Sequence, residues 1–145
     1  VISPGTAWRL PFEALDAQGP GRGLLRRLLH RFAYVSMIVT ACRLACNSEH
    51  NIDQRLARWL LWVHDETARP EISITHQQLA DIAAIRRPSV SLALSAFQRE
   101  GLVKSQHGRL QVLGRERLEQ IVCPCYALIR SNVENVSDVA LQEQM

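Results

Sequence analysis

Arg86 and Arg87 stand side by side, directly before Pro88 and the short polar residues Ser89, Ser91 and Ser95. A guanidinium is a planar, permanently charged fork of donors, suited to bidentate contacts with phosphate and with the O6/N7 edge of guanine. The serines can meet bases, phosphates or water. Upstream, Thr75, His76 and Gln77 open a helical stretch, where free backbone amides and the helix dipole favour a phosphate. Downstream, His107 and Arg109 flank a glycine and offer a second phosphate contact. A lone arginine is ordinarily a solubilising charge. These gain weight because they converge on one side of one local motif, with Arg87 as the base-reading candidate and Arg86 as a phosphate contact.

Other reactive side chains form weaker patterns. Cys42 and Cys46 are one helical turn apart, and Cys123-Pro124-Cys125 lies far downstream. Four thiolates can hold zinc or an iron–sulfur cluster, but these spacings are weak evidence for one. Cys42 and Cys46 read as small core residues, and cysteines two apart bring both thiols to one side only in particular turns. The sequence therefore assigns no metal and no cofactor. His30, His50, His64, His76 and His107 are scattered, none beside a serine or cysteine in an activating motif. The glycines at 19, 21 and 23 lack the Lys-Ser/Thr pair of a phosphate-binding loop. No enzyme is expected.

The elements that must position Arg86 and Arg87 occupy residues 74–112. Thr75 is a suitable N-cap, and Leu79, Ile82 and Ala83 follow at helical spacing on one apolar face. Ala80 is small where a second helix would cross, the first helix should end near Ala83 and Ala84, and Ile85 should be buried in the turn. Pro88 fits the first turn of the next helix, where a missing amide costs nothing. Val90, Ala93, Leu94 and Phe97 make its inner stripe; Arg87, Ser91, Ser95 and Arg99 make the opposite one. Gly101 supplies a left-handed stop. Val103 and Ser105 alternate with Lys104 and Gln106, His107-Gly108 turns the chain, and Leu110 and Val112 return it. This pattern predicts a winged helix-turn-helix, which places its second helix in a major groove.

Upstream, residues 24–46 predict a helix ~35 Å long at ~1.5 Å per residue. Leu25, Leu28, Phe32, Val35, Val39, Cys42 and Cys46 step by threes and fours, a heptad seam that favours a partner helix over packing within one chain. A further helix capped by Ser48 or Asn51 should run to about Ala68, with Ile52, Leu56, Trp59, Leu60 and Val63 on its apolar face. Arg55 and Arg58 are expected on its solvated side, and Trp59 and Trp62 in packing. A short strand is expected over residues 71–74 and another over residues 8–10. Helical pieces over 115–122 and 127–136 should follow the wing, with residues 137–145 fraying.

Several of these segments together resemble the Crp/Fnr family of bacterial transcription regulators: ITHQQLADI as the first helix, RRPSVSLAL as the recognition helix, the EGLV exit, the HGRLQV wing, and QRLARWLL as the linking helix. The resemblance extends through the long helix before them. It implies a mainly α chain with a small β-hairpin wing. In that frame, residues 1–20 are a remnant of an N-terminal effector domain, 21–46 a dimerisation helix, 47–70 a linking helix, 71–114 the DNA-binding domain and 115–145 a C-terminal helical extension. Most of the family's cyclic-nucleotide-binding-like β-roll lies outside these residues, so its ligand-sensing role is not carried over. The implied partners are double-stranded DNA, a second copy of the chain through Leu25, Leu28, Phe32, Val35, Val39 and Cys42, and RNA polymerase. Many members carry Glu where this chain has Pro88 and Arg where it has Leu92. Pro88 cannot accept from a cytosine amine and Leu92 offers only apolar contact, so the family's operator sequence is not carried over.

Composition is that of an ordinary globular domain, with a net charge of +3 and pI near 8.9. The longest uncharged apolar run lies between Arg31 and Arg43, short of the ~20 residues that span a bilayer. No membrane segment or signal peptide is expected, and cysteines without framework spacing suggest a reducing cytoplasm. Two alternatives from other classes stand beside a DNA-binding regulator: a dimerisation module whose winged domain no longer binds DNA, supported by Leu92, and a cysteine-based redox or metal sensor.

Overall fold

A computed structural model describes residues 6–11, 13, 22–67 and 71–142, with the backbone alone for residues 22 and 135–142. In chain order the elements are α1 (Arg22–Glu49), α2 (Ile52–Thr67), β1 (Glu71–Ser73), α3 (His76–Ala83), α4 (Arg87–Arg99), β2 (Val103–Gln106), β3 (Arg109–Val112), α5 (Arg115–Ile121) and α6 (Cys125–Gln142). Helices dominate, with one small antiparallel sheet in the order β1-β3-β2. The expected strand over residues 8–10 does not form; this segment has no ladder partner among the described residues, and Trp8 is 95% exposed. Helix α1 already includes Arg22 and Gly23, ahead of the expected start at residue 24, and runs on to Glu49. Helix α6 continues through Gln142, so residues 137–142 are helical rather than frayed.

The core is built around α2. Asn51 and Gln54 cap it reciprocally: Gln54 N donates to Asn51 Oδ1 at 2.9 Å, and Asn51 N donates to Gln54 Oε1 at 3.2 Å. Its residues Leu56, Ala57, Trp59, Leu60, Leu61 and Val63 are buried against Leu79, Val90, Leu94, Phe97, Leu110 and Leu118. Burying each such leucine contributes ~1.5–3 kcal/mol against exposure.

Arg55 and Arg58 correct the expected solvated face, for both are buried, at 8% and 7% exposure. A helix covered on several sides has no free face for them. Arg55 is held by the end of α3: its Nη2 donates to the carbonyls of Ala83 at 2.6 Å and Ala84 at 2.8 Å. Ala84 closes α3 in the left-handed region, at φ 51°. A cation at this point satisfies carbonyls the helix leaves without partners and complements its dipole. Arg55 is therefore the link that fixes the first helix of the motif against α2.

A second polar junction ties α2 to the C-terminal elements. Asp65 accepts from Arg115 Nη1 and from the Tyr126 hydroxyl, both at 2.6 Å, while Arg115 Nη2 donates to Tyr126 Oη at 3.0 Å. Burial, followed by the hydrogen bond to Asp65, pushes the Tyr126 phenol above its ordinary pKa.

Helix α1 packs against α6. Along the heptad seam, Leu25 and Phe32 are exposed at 40% and 66%, Leu28, Val35, Val39 and Cys42 are half-buried, and Cys46 is fully buried. The seam thus turns from an open surface into this chain's own core. Cys46 belongs to the latter, because its thiol meets Cys123 at 3.5 Å. Residues 23–49 are also long and apolar enough, by length and composition, to cross a bilayer. The expectation from sequence considered only the uncharged run and did not anticipate this, since Arg31 and Arg43 are tolerated in a longer window.

Candidate nucleic-acid interface

Local chemistry fixes the two helices that carry the candidate contacts. Thr75 forms a full capping box: its Oγ1 accepts from Gln78 N at 3.2 Å, and Gln78 Oε1 accepts from Thr75 N at 2.9 Å. Leu79, Ala80 and Ala83 face inward, whereas Ile82, expected on the same face, is 51% exposed. A helix of eight residues buries a narrow stripe, here Leu79, Ala80 and Ala83, and Ile82 lies beyond its edge. Ile85 is half-buried against the core. In α4, Val90, Ala93, Leu94 and Phe97 are buried as the spacing predicts, and Pro88 sits in the first turn. Gly101 follows at φ 69°.

The wing is a tight hairpin. His107 and Gly108 both have positive φ, 51° and 74°, the signature of a turn whose twist matches its strands. β2 and β3 pair Val103 with Val112 and Ser105 with Leu110, and β1 adds Ile72 opposite Leu110. Val103, Leu110 and Val112 thus face the core, and Lys104, Gln106 and Arg109 face solvent.

A polar bridge sets the wing against the recognition helix. His76 Nδ1 lies 2.9 Å from Ser91 Oγ, and its Nε2 lies 3.3 Å from Ser105 Oγ. One imidazole therefore joins α3, α4 and β2. Gln98 Nε2 adds a second tie to the wing, donating to Ser105 O at 3.2 Å.

The sequence candidates fall into three groups. Arg86 and Arg87 are exposed at the start of α4 and have no partner among the described residues. His76 and Ser91 are brought together and engage each other. Thr75, Gln77, Ser95 and Arg109 are exposed but already bonded: Thr75 in its capping box, Gln77 to Asp81 at 2.8 Å, Ser95 to the Ser91 carbonyl at 2.8 Å, and Arg109 to Glu71 at 3.4 Å. Ser89 is half-buried beside them and His107 is exposed at the wing tip. Sequence reasoning passed over Lys104 and Gln106, which line the outer wing surface with Glu71, His107 and Arg109. Their alternation in β2 was the signal available. Leu92 projects from α4 at 73% exposure.

Comparison with known proteins places this arrangement. Residues 54–121 match the Crp-like helix-turn-helix domain. The transcriptional regulator LdrP, in two strains of Thermus thermophilus, is 35% identical over 130 residues, covering 80% of this chain and 66% of the relative. The chain belongs to the Crp/Fnr family. Among solved structures, a regulator of that family described from Eubacterium rectale superposes at TM-score 0.53 with 25% identity, over 75% of this chain and 49% of its own. A CRP-family transcriptional regulator from Thermus thermophilus gives 0.56 and 27%, over 77% and 55%. The chain thus spans about two thirds of the curated relatives it matches and about half of these structures. The winged helix-turn-helix, from the linking helix through α5, is of the Crp-like kind.

Proposed function

We propose that this chain is a sequence-specific transcription regulator that binds a two-fold symmetric operator as a homodimer. The observation that carries the reading is the pair of exposed arginines, Arg86 and Arg87, without partners among the described residues, at the start of a recognition helix that a wing braces through His76. In this arrangement the first turn of α4 meets base edges and the wing meets the backbone beside it. Arg87 reads a purine edge and Arg86 neutralises a phosphate. Ser89 and Ser95 lie along the same approach, and His107 and Arg109 extend it to the wing. His76 and Ser91 serve this surface chiefly by holding its parts together. Leu25, Leu28 and Phe32, on the open part of the seam, pair the subunits, with Val35, Val39 and Cys42 at its inner edge. Two half-sites then stand one helical turn, ~34 Å, apart. Such a protein acts where the chromosome is, in the cytoplasm, and RNA polymerase is a natural further partner.

The test is binding of duplex DNA across a salt series. Phosphate neutralisation makes affinity fall steeply and linearly with salt on logarithmic axes. Leu92 favours a second reading, in which α4 presents an apolar contact to another protein. Absence of any salt-dependent duplex binding, with an intact dimer, supports that reading instead.

A further inference from the structure

Four side chains from opposite ends of the chain meet where α1 packs on α6. Cys46, His50, Cys123 and Cys125 bring three sulfurs and one imidazole nitrogen within 4.8 Å of one another. We propose that these residues form a tetrahedral site for one divalent transition-metal ion of the zinc type.

The local backbone explains the convergence. His50 lies just past α1, yet its amide still donates to the Cys46 carbonyl at 3.2 Å, so the two side chains are one turn apart on one face. Cys123-Pro124-Cys125 makes the kind of turn that two cysteines two apart require: Tyr126 N donates to Cys123 O at 3.1 Å, and Cys125 begins α6. Both thiols then point to α1.

The distances suit a single ion. Zinc–sulfur bonds of ~2.3 Å and zinc–nitrogen bonds of ~2.0–2.1 Å set tetrahedral ligand atoms ~3.5–3.8 Å apart. Cys46 Sγ and Cys123 Sγ are 3.5 Å apart, and Cys125 Sγ and His50 Nδ1 are 3.8 Å apart. A cluster of two or more irons would hold ligands on different irons farther apart than the 4.8 Å that contains all four atoms here. Three soft thiolates and an imidazole complete the coordination sphere with no open position, the pattern of a structural site rather than a catalytic one. As each metal–sulfur bond forms, the thiol releases its proton to solvent. Cys46 and Cys123 are buried while His50 and Cys125 are half-buried, so the site is reachable from one side. Cys42, one turn up α1, lies outside the set.

The bound ion would clamp the end of α1 to the start of α6. Through Tyr126 and Asp65 the same clamp reaches α2, which carries the helix-turn-helix.

Cobalt(II) titration of the reduced, metal-stripped chain tests the site without reference to DNA. We expect one equivalent bound per chain, with the intense visible bands of tetrahedral cobalt and a thiolate charge-transfer band, both displaced by zinc. Cys125→Ser and His50→Ala should each weaken binding by more than ~100-fold, beyond what loss of an outer-shell partner causes. Cys42→Ser should leave stoichiometry and spectrum unchanged, which guards against general sensitivity to lost thiols. Octahedral cobalt bands without thiolate charge transfer, or a spectrum that survives both ligand variants, would overturn the proposal. So would a reduced, folded wild-type chain that takes up no cobalt and forms a Cys46–Cys123 disulfide in air.

Discussion

Replacing Arg55 by Met tests how the DNA-binding motif is held on α2. Methionine keeps much of the aliphatic stem but removes both donors to the carbonyls of Ala83 and Ala84, at 2.6 and 2.8 Å. Hydrogen bonds to a charged group are worth ~1.5–3 kcal/mol each, so the gross loss is ~3–6 kcal/mol. Part of this is returned, because a guanidinium 8% exposed carries a desolvation cost, and its Nε has no partner of its own. Removing a buried charge recovers several kcal/mol, which leaves a net loss of ~2 kcal/mol. In a chain of this size that lowers Tm by ~4–8 °C. Thermal and urea unfolding measure the loss directly, and the urea m value should stay constant because the folded surface is unchanged. A variant as stable as the parent would refute the reasoning. It would mean that water or backbone shifts satisfy the end of α3, and that Arg55 contributes packing alone.

Three further outcomes follow from the same geometry. Arg87→Ala should cost ~1–3 kcal/mol of operator affinity and relax one base position, whereas Arg86→Ala should weaken all sequences alike and reduce the salt slope by ~1; binding isotherms on operator and scrambled duplexes separate the two. Phe32→Glu places a charge on the open part of the seam, where Phe32 is 66% exposed, and should convert a dimer to a monomer in sedimentation without unfolding it. Gly101→Ala should cost ~1–2 kcal/mol in urea unfolding, because φ is 69° and an added Cβ meets nothing within 4 Å, so backbone strain is the whole effect.

What the sequence disclosed and what it hid divide along physical lines. The cap at Thr75, the stop at Gly101, the His107-Gly108 turn and the inner stripe of α4 depend on residues a few positions apart, and the structure has them where the pattern puts them. Arg55 and Arg58 were misplaced because periodicity assumes one wet face, and α2 is enclosed by α3, α4, α5 and α6. Ile82 fell outside the core because a two-turn helix buries a narrower stripe than its pattern allows. His76 could be placed at the start of a helix, but its bridge to Ser91 and Ser105 depends on how α3, α4 and the wing meet. The same holds for the thiol cluster, in which Cys46 and Cys123 are separated by 77 positions. Cys42 and Cys46 looked like a pair by spacing, yet burial separates them and gives Cys46 to Cys123. The position of Arg86 and Arg87, exposed at a helix start, was legible because it depends on the neighbouring residues alone.

The most direct test of the central claim is selection of binding duplexes from a randomised pool at moderate salt, using the purified chain. The account predicts enrichment of a two-fold symmetric consensus with half-site centres ~10 base pairs apart, relaxed at one base position of each half-site on mutating Arg87. Failure of a soluble, dimeric chain to enrich any sequence would contradict it, and would turn attention to Leu92 and a protein partner.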